Sequence, residues 1–128
     1  MHTILVVDSE RSMREFLSIM LERDGYSVVT KDNGSDAIEF IKGHDLDLII
    51  ADIGMPKITG IDILRESVAL HPKTPVIMIT AFASTEVAIE AMKLGAYDYI
   101  TKPFNVDETK IIIKNAIEKK RQLDENIS

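Results

Sequence analysis

The sequence predicts an α/β protein, a doubly wound five-stranded parallel sheet with five helices, and three observations carry that expectation. Five short apolar runs alternate with five longer segments of helical spacing, as repeated β-α units require. The runs "DLIIAD" and "PVIMIT" are almost continuously apolar rather than alternating, which marks parallel strands covered by helices on both faces. Finally, 128 residues with 45% hydrophobic content suffice for a single core, so one domain is expected.

The elements follow in order. The first strand is expected over Ile4–Val7, and in the helix after it Met13, Phe16, Leu17, Met20 and Leu21 share one face. Asp24-Gly25 then supplies the glycine that commonly follows a helix end. A strand over Tyr26–Val29 leads to a helix of about Ser35 to Lys42, with Ala37, Ile38 and Ile41 inward and Gly43 closing it. The third strand covers Leu46–Ala51. Its helix, about Ile61 to Leu70, must stop before Pro72, because proline disfavours helical geometry in the residue before it. The fourth strand spans Pro75–Ile79. Ser84 is the expected cap of a helix that buries Val87, Ala88, Ala91 and Leu94 and stops at Gly95. The fifth strand is centred on Tyr99–Ile100. Asn105 and Glu108 have capping-box-like spacing at the start of a last helix that runs through Ile112, Ala116 and Ile117 into Lys119-Lys120-Arg121. Parallel strands joined by helices cross over right-handedly.

Composition narrows the function. A formal charge of −6 disfavours direct nucleic-acid binding and favours a cation or a basic partner. The chain has no cysteine, which removes disulfides, thiol catalysis and cysteine metal sites. No apolar run approaches the roughly 18 residues of a membrane span, and no signal-peptide pattern opens the chain, so a cytoplasmic protein with no membrane association is expected.

In doubly wound sheets ligands sit beyond the carboxyl ends of the strands. Asp8, Ser9 and Glu10 follow the first strand, Asp52 the third, Thr80 the fourth and Lys102 the fifth. Two carboxylates brought together there call for a compensating cation, either Lys102 or a divalent metal. A set of carboxylate, carbonyl and water oxygens suits magnesium, which commonly shares its coordination with phosphate oxygens. A carboxylate can itself act as a nucleophile toward phosphorus, while a lysine, a metal and a hydroxyl offset the charge of the phosphoryl oxygens.

The segments "ILVVDSE", "DLIIADIGMPKITGIDIL", "PVIMITAFAS" and "GAYDYITKPF" resemble, in order and spacing, the motifs of the bacterial two-component response-regulator receiver domain. The resemblance covers residues 1–122 and leaves 123–128 as the start of a linker or C-terminal tail. It implies a flavodoxin-like sheet of order 2-1-3-4-5, with Asp52 as phosphoacceptor, Thr80 as the hydroxyl that binds the phosphoryl group and Lys102 as its paired cation. It also implies magnesium held by Asp8, Asp52 and the carbonyl of Gly54, switching through Thr80 and Tyr99, and a Lys102-Pro103 bond of the kind often cis in this family. Implied partners are a sensor histidine kinase, C-terminal ATPase and DNA-binding output domains of the NtrC class, and a second copy of the chain through the fourth helix, fifth strand and fifth helix. Ile89 and Met92 form an apolar strip on that fourth helix.

Ser9 departs from the pattern, since receivers usually carry a second acid there and that acid touches magnesium directly. Weaker metal binding is therefore expected. Glu10 would compensate only if its loop turned inward, which is not the expectation. An alternative is a pseudo-receiver that binds partners without phosphorylation. A phosphatase-like hydrolase is disfavoured because Gly54 stands where it would need a general acid. The bland readings are helix capping for Asp8 and Ser9, an ordinary strand residue for Thr80, a solvated lysine for Lys102, a core aromatic for Tyr99 and turn punctuation for Gly60.

Overall fold

In the computed structural model, residues 2–81 and 85–126 are described. The elements are β1 (Thr3–Val7), α1 (Arg11–Arg23), β2 (Ser27–Lys31), α2 (Gly34–Gly43), β3 (Leu48–Asp52), α3 (Gly60–Leu70), β4 (Val76–Thr80), α4 (Thr85–Lys93), β5 (Asp98–Thr101) and α5 (Val106–Glu125). All strand pairs are parallel, in the order β2-β1-β3-β4-β5.

Alternation along the strands sorts the core into two layers. Ile4 and Val6, Leu48 and Ile50, and Ile77 and Ile79 pack with Leu17 and Leu21 of α1 and Ile113 and Ala116 of α5. Their neighbours Leu5, Val7, Ile49, Ala51, Val76 and Met78 pack with Ala37 and Ile41 of α2, Ile63 and Leu64 of α3 and Ala91 of α4. β3 and β4 are buried along their whole lengths, as their continuous apolar runs require.

Several boundaries differ from expectation for local reasons. β3 starts at Leu48, and Asp47 just before it is held by Thr3, whose N–H donates to its carboxylate at 2.8 Å and whose carbonyl accepts its N–H at 3.0 Å. The full capping box lies at α3, between Thr59 and Asp62, while at α5 Asn105 accepts the Glu108 N–H without the reciprocal bond. Phe16, expected inside, is 44% exposed and leans on Phe104 with ring centroids 5.8 Å apart. Ser84 lies outside the described residues. α5 continues through residue 122 to Glu125, held by the buried Lys120.

Candidate functional site

The carboxyl ends of β1, β3, β4 and β5 form one side of the sheet, and pairing fixes how far each projects. Asp52 is the last residue of β3 and pairs with Ile79, and Thr80 is the last of β4 and pairs with Thr101. Asp8 and Lys102 each follow their strands by one residue. Asp8 continues the row Ile4–Val6, Asp52 the row Leu48–Ile50, and Lys102 follows Ile100 by two, so all three lie on the α1/α5 side of the pleat. Thr80 continues the opposite row, Val76–Met78.

The three charged groups meet. The Lys102 ammonium lies 2.9 Å from Asp8 Oδ2 and 3.4 Å from Asp52 Oδ2. It also lies 3.4 Å from Glu10 Oε1. The loop after β1 therefore brings Glu10 to the site, against expectation, while Ser9 stays exposed. Burial alone would lower the lysine's pKa, but the hydrogen bond to Asp8 and the charges of Asp52, Asp8 and Glu10 together raise it. The ammonium stays charged and serves three acids at once.

Backbone contacts hold the acids in place. Asp8 is 1% exposed, its Oδ1 accepts the Glu10 N–H at 2.9 Å, and its carbonyl accepts from Arg14 Nη1 at 2.8 Å. Glu10 is the residue that caps α1 and makes no side-chain cap bond, so capping explains neither Asp8 nor Ser9. Asp52 Oδ1 accepts the Gly54 N–H at 3.0 Å. The Lys102 N–H donates to the Thr80 carbonyl at 2.8 Å, tying the ends of β4 and β5 together, and the Lys102-Pro103 bond is cis. Thr80 is buried, whereas Tyr99 is 39% exposed and accepts no place in the core. Arg14, which lies in the first turn of α1 and reaches back to the Asp8 carbonyl, is the residue that sequence reasoning passed over.

This donor set fits a magnesium ion. Asp8 and Asp52 share one cation, giving the two carboxylates that such an ion takes alongside several waters. Among the described residues no group of three His, Cys, Asp or Glu side chains is arranged to hold a metal, so waters would complete the shell.

The family pattern of the response regulator receiver domain matches residues 4–114. The chain belongs to the receiver-domain family. It is 37% identical over 115 residues to the regulatory protein AtoC of Escherichia coli, covering 90% of this chain and 25% of that protein. It is 34% identical to the DNA-binding transcriptional regulator NtrC of E. coli, covering 89% of this chain and 24% of the relative. This receiver thus spans about a quarter of the length of these curated relatives. Among solved structures, a receiver domain protein from Clostridium thermocellum superposes with a TM-score of 0.90 at 35% identity, covering 96% of this chain and 99% of that one. NtrX of Brucella abortus matches with a TM-score of 0.88 at 31% identity over 96% of this chain and 28% of that chain. The receiver is a two-component signalling module of the kind found in the transcriptional regulator NtrC. Among the described residues no helix is long and apolar enough to cross a membrane.

Proposed function

We propose that this receiver is phosphorylated on Asp52 by a sensor histidine kinase and passes the change to an output domain that regulates transcription. The observation that supports this most is the Lys102 ammonium set between two buried carboxylates at strand ends. In the transfer, an Asp52 carboxylate oxygen bonds to phosphorus as the bond from phosphorus to the donor imidazole nitrogen breaks. That nitrogen keeps the electron pair and takes a proton from water. Lys102 pairs with the phosphoryl oxygens that gather beside Asp52, and the Thr80 hydroxyl donates to one of them. Bound magnesium would supply charge neutralisation, held by Asp8, Asp52 and the Gly54 carbonyl.

Thr80 lies in the row that faces α3 and α4, so drawing it to the phosphoryl group pulls on the opposite layer. Tyr99, exposed in β5, then turns inward and reshapes the α4-β5-α5 surface, which carries the exposed Ile89 and Met92 and serves for output or pairing with a second copy. Glu10 supplies negative charge close to where Ser9 supplies none. The chain assists its own phosphorylation and dephosphorylation through these groups.

Intact mass after incubation with a small acyl phosphate, across a magnesium titration, tests the reading. One phosphoryl adduct that requires magnesium and vanishes in Asp52→Asn is the expected result. No adduct in the wild type but a clear one in Ser9→Asp would instead make the chain a phosphorylation-independent binding module.

A further inference from the structure

The segment between β3 and α3, residues 53–59, is gripped from two sides by helix N-termini that lack side chains. A methyl carbon added at Gly60, the first residue of α3, would stand 2.5 Å from the Asp52 carbonyl oxygen and 2.7 Å from Ile53 Cα. One added at Gly34, the first residue of α2, would stand 2.5 Å from Ile58 Cγ2 and 2.7 Å from the Ile58 carbonyl oxygen. Both contacts involve backbone, which cannot swing aside as a flexible side chain does. Between them Lys57 has φ of 65°, a left-handed conformation that a non-glycine residue keeps only when its surroundings impose it. Met55 adds a buried anchor, 2% exposed. The Gly60 N–H also donates to the Ile53 carbonyl at 3.3 Å, closing the loop on itself.

We propose that Gly34 and Gly60 clamp the 53–59 loop and thereby set the position of the Asp52 carboxylate and the Gly54 backbone, which makes Gly60 a positioning residue for the phosphoacceptor. The path is short. A side chain at Gly60 would meet the backbone of Asp52 itself, and the Gly54 N–H that orients Asp52 Oδ1 lies within the clamped loop. By contrast Gly43, at the end of α2, has open space where a side chain would go, so a substitution there leaves the clamp intact. The inference rests on the proposed role of Asp52.

The test compares Gly60→Ala with Gly43→Ala, and Ile58→Ala with Val68→Ala. Ile58 and Val68 are both half-buried against the same core layer, but only Ile58 belongs to the clamp. Two readouts are taken: the amide resonance and hydrogen exchange of Gly54, and the rate of adduct formation from acetyl phosphate at several magnesium concentrations. In Gly60→Ala the Gly54 amide shifts and exchanges faster, adduct formation slows roughly tenfold or more, and the half-saturating magnesium concentration rises. Gly43→Ala stays within about twofold of wild type on this scale. Should Gly60→Ala not fold, the other pair decides, with Ile58→Ala altering both readouts and Val68→Ala neither at comparable loss of stability. A folded Gly60→Ala with an unchanged Gly54 amide and rate, or Ile58→Ala indistinguishable from Val68→Ala, overturns the clamp. A wild type that takes no adduct overturns the phosphoacceptor reading instead, while the Gly54 amide still judges the clamp.

Discussion

Two lysines sit among carboxylates in this receiver, and their surroundings differ in kind. Lys102, after β5, has a side chain 11% exposed and faces Asp8 and Asp52, whose side chains are 1% and 11% exposed. Lys120, on α5, is 4% exposed but pairs with Asp124 at 2.6 Å and Asp45 at 3.7 Å, whose side chains are 48% and 73% exposed. The two acids paired with Lys120 remain half or more in water, so the pairing costs little and pins the last helix to the loop before β3. Around Lys102 three acids share one ammonium, and two of them have given up water to do so. Buried carboxylates in excess of their counter-charge are not a stabilising device. On the proposed reading, that excess of negative charge is what a bound divalent cation would offset.

Replacing each lysine by methionine breaks the comparison most sharply. Lys102→Met leaves Asp8 and Asp52 buried with no counter-charge, so a loss of about 3 kcal/mol in urea unfolding is expected. On the proposed reading the rate of adduct formation also falls by about two orders of magnitude. Lys120→Met leaves its two paired acids, Asp124 and Asp45, in reach of water; it costs under about 1 kcal/mol and leaves the adduct rate unchanged. Equal destabilisation by the two substitutions would remove the distinction.

A smaller effect is expected from Glu10→Gln, which takes one of the three acids from Lys102. The magnesium concentration needed for half-maximal adduct formation should rise about threefold, and Ser9→Asp should lower it, the titration by intact mass reading both. Without metal, Asp52→Asn should raise the urea stability by about 1 kcal/mol, because it relieves the excess of like charge while an amide oxygen still accepts the Gly54 N–H. No rise would count against crowding of charge at the site.

The two lysines agree in one respect. Each has a pKa raised above its ordinary 10.5, and the Tyr26 hydroxyl is likewise raised, by burial and then by the charge of Asp24. For Lys120 burial works downward and is outweighed by the hydrogen bond to Asp124 and the charges of Asp45, Asp124 and Asp47. A folded-state pKa above the unfolded value means that the stability gained is complete below the unfolded value and is lost as pH rises through the folded one. Urea midpoints should therefore decline above pH 10.5, and Lys120→Met should decline less steeply than wild type.

Much of this was legible along the chain. The apolar runs of β3 and β4 announced doubly covered strands, the glycines after α1 and α4 announced their ends, and Asp52 at the end of "LIIA" announced a carboxylate with no packing reason to be there. Parallel pairing carried Asp8, Asp52 and Lys102 to one side because each lies at or just past a strand end, in the same row of the pleat. Phe16 was misplaced because helical spacing gives a face but not its width, and α1 buries only Leu17, Met20 and Leu21 fully.

What the sequence determined by itself was therefore the set of elements, their type, and the chemistry waiting at the strand ends, because hydrophobic period and turn residues are written between near neighbours. Tertiary structure alone decided that Glu10 rather than Ser9 reaches Lys102, that Gly60 has no room for a side chain beside the backbone of Asp52, and that Lys120 is buried while its paired acids are not. Those outcomes depend on contacts between residues as far apart as 10 and 102, and on gaps of a few tenths of an ångström that no spacing along the chain encodes.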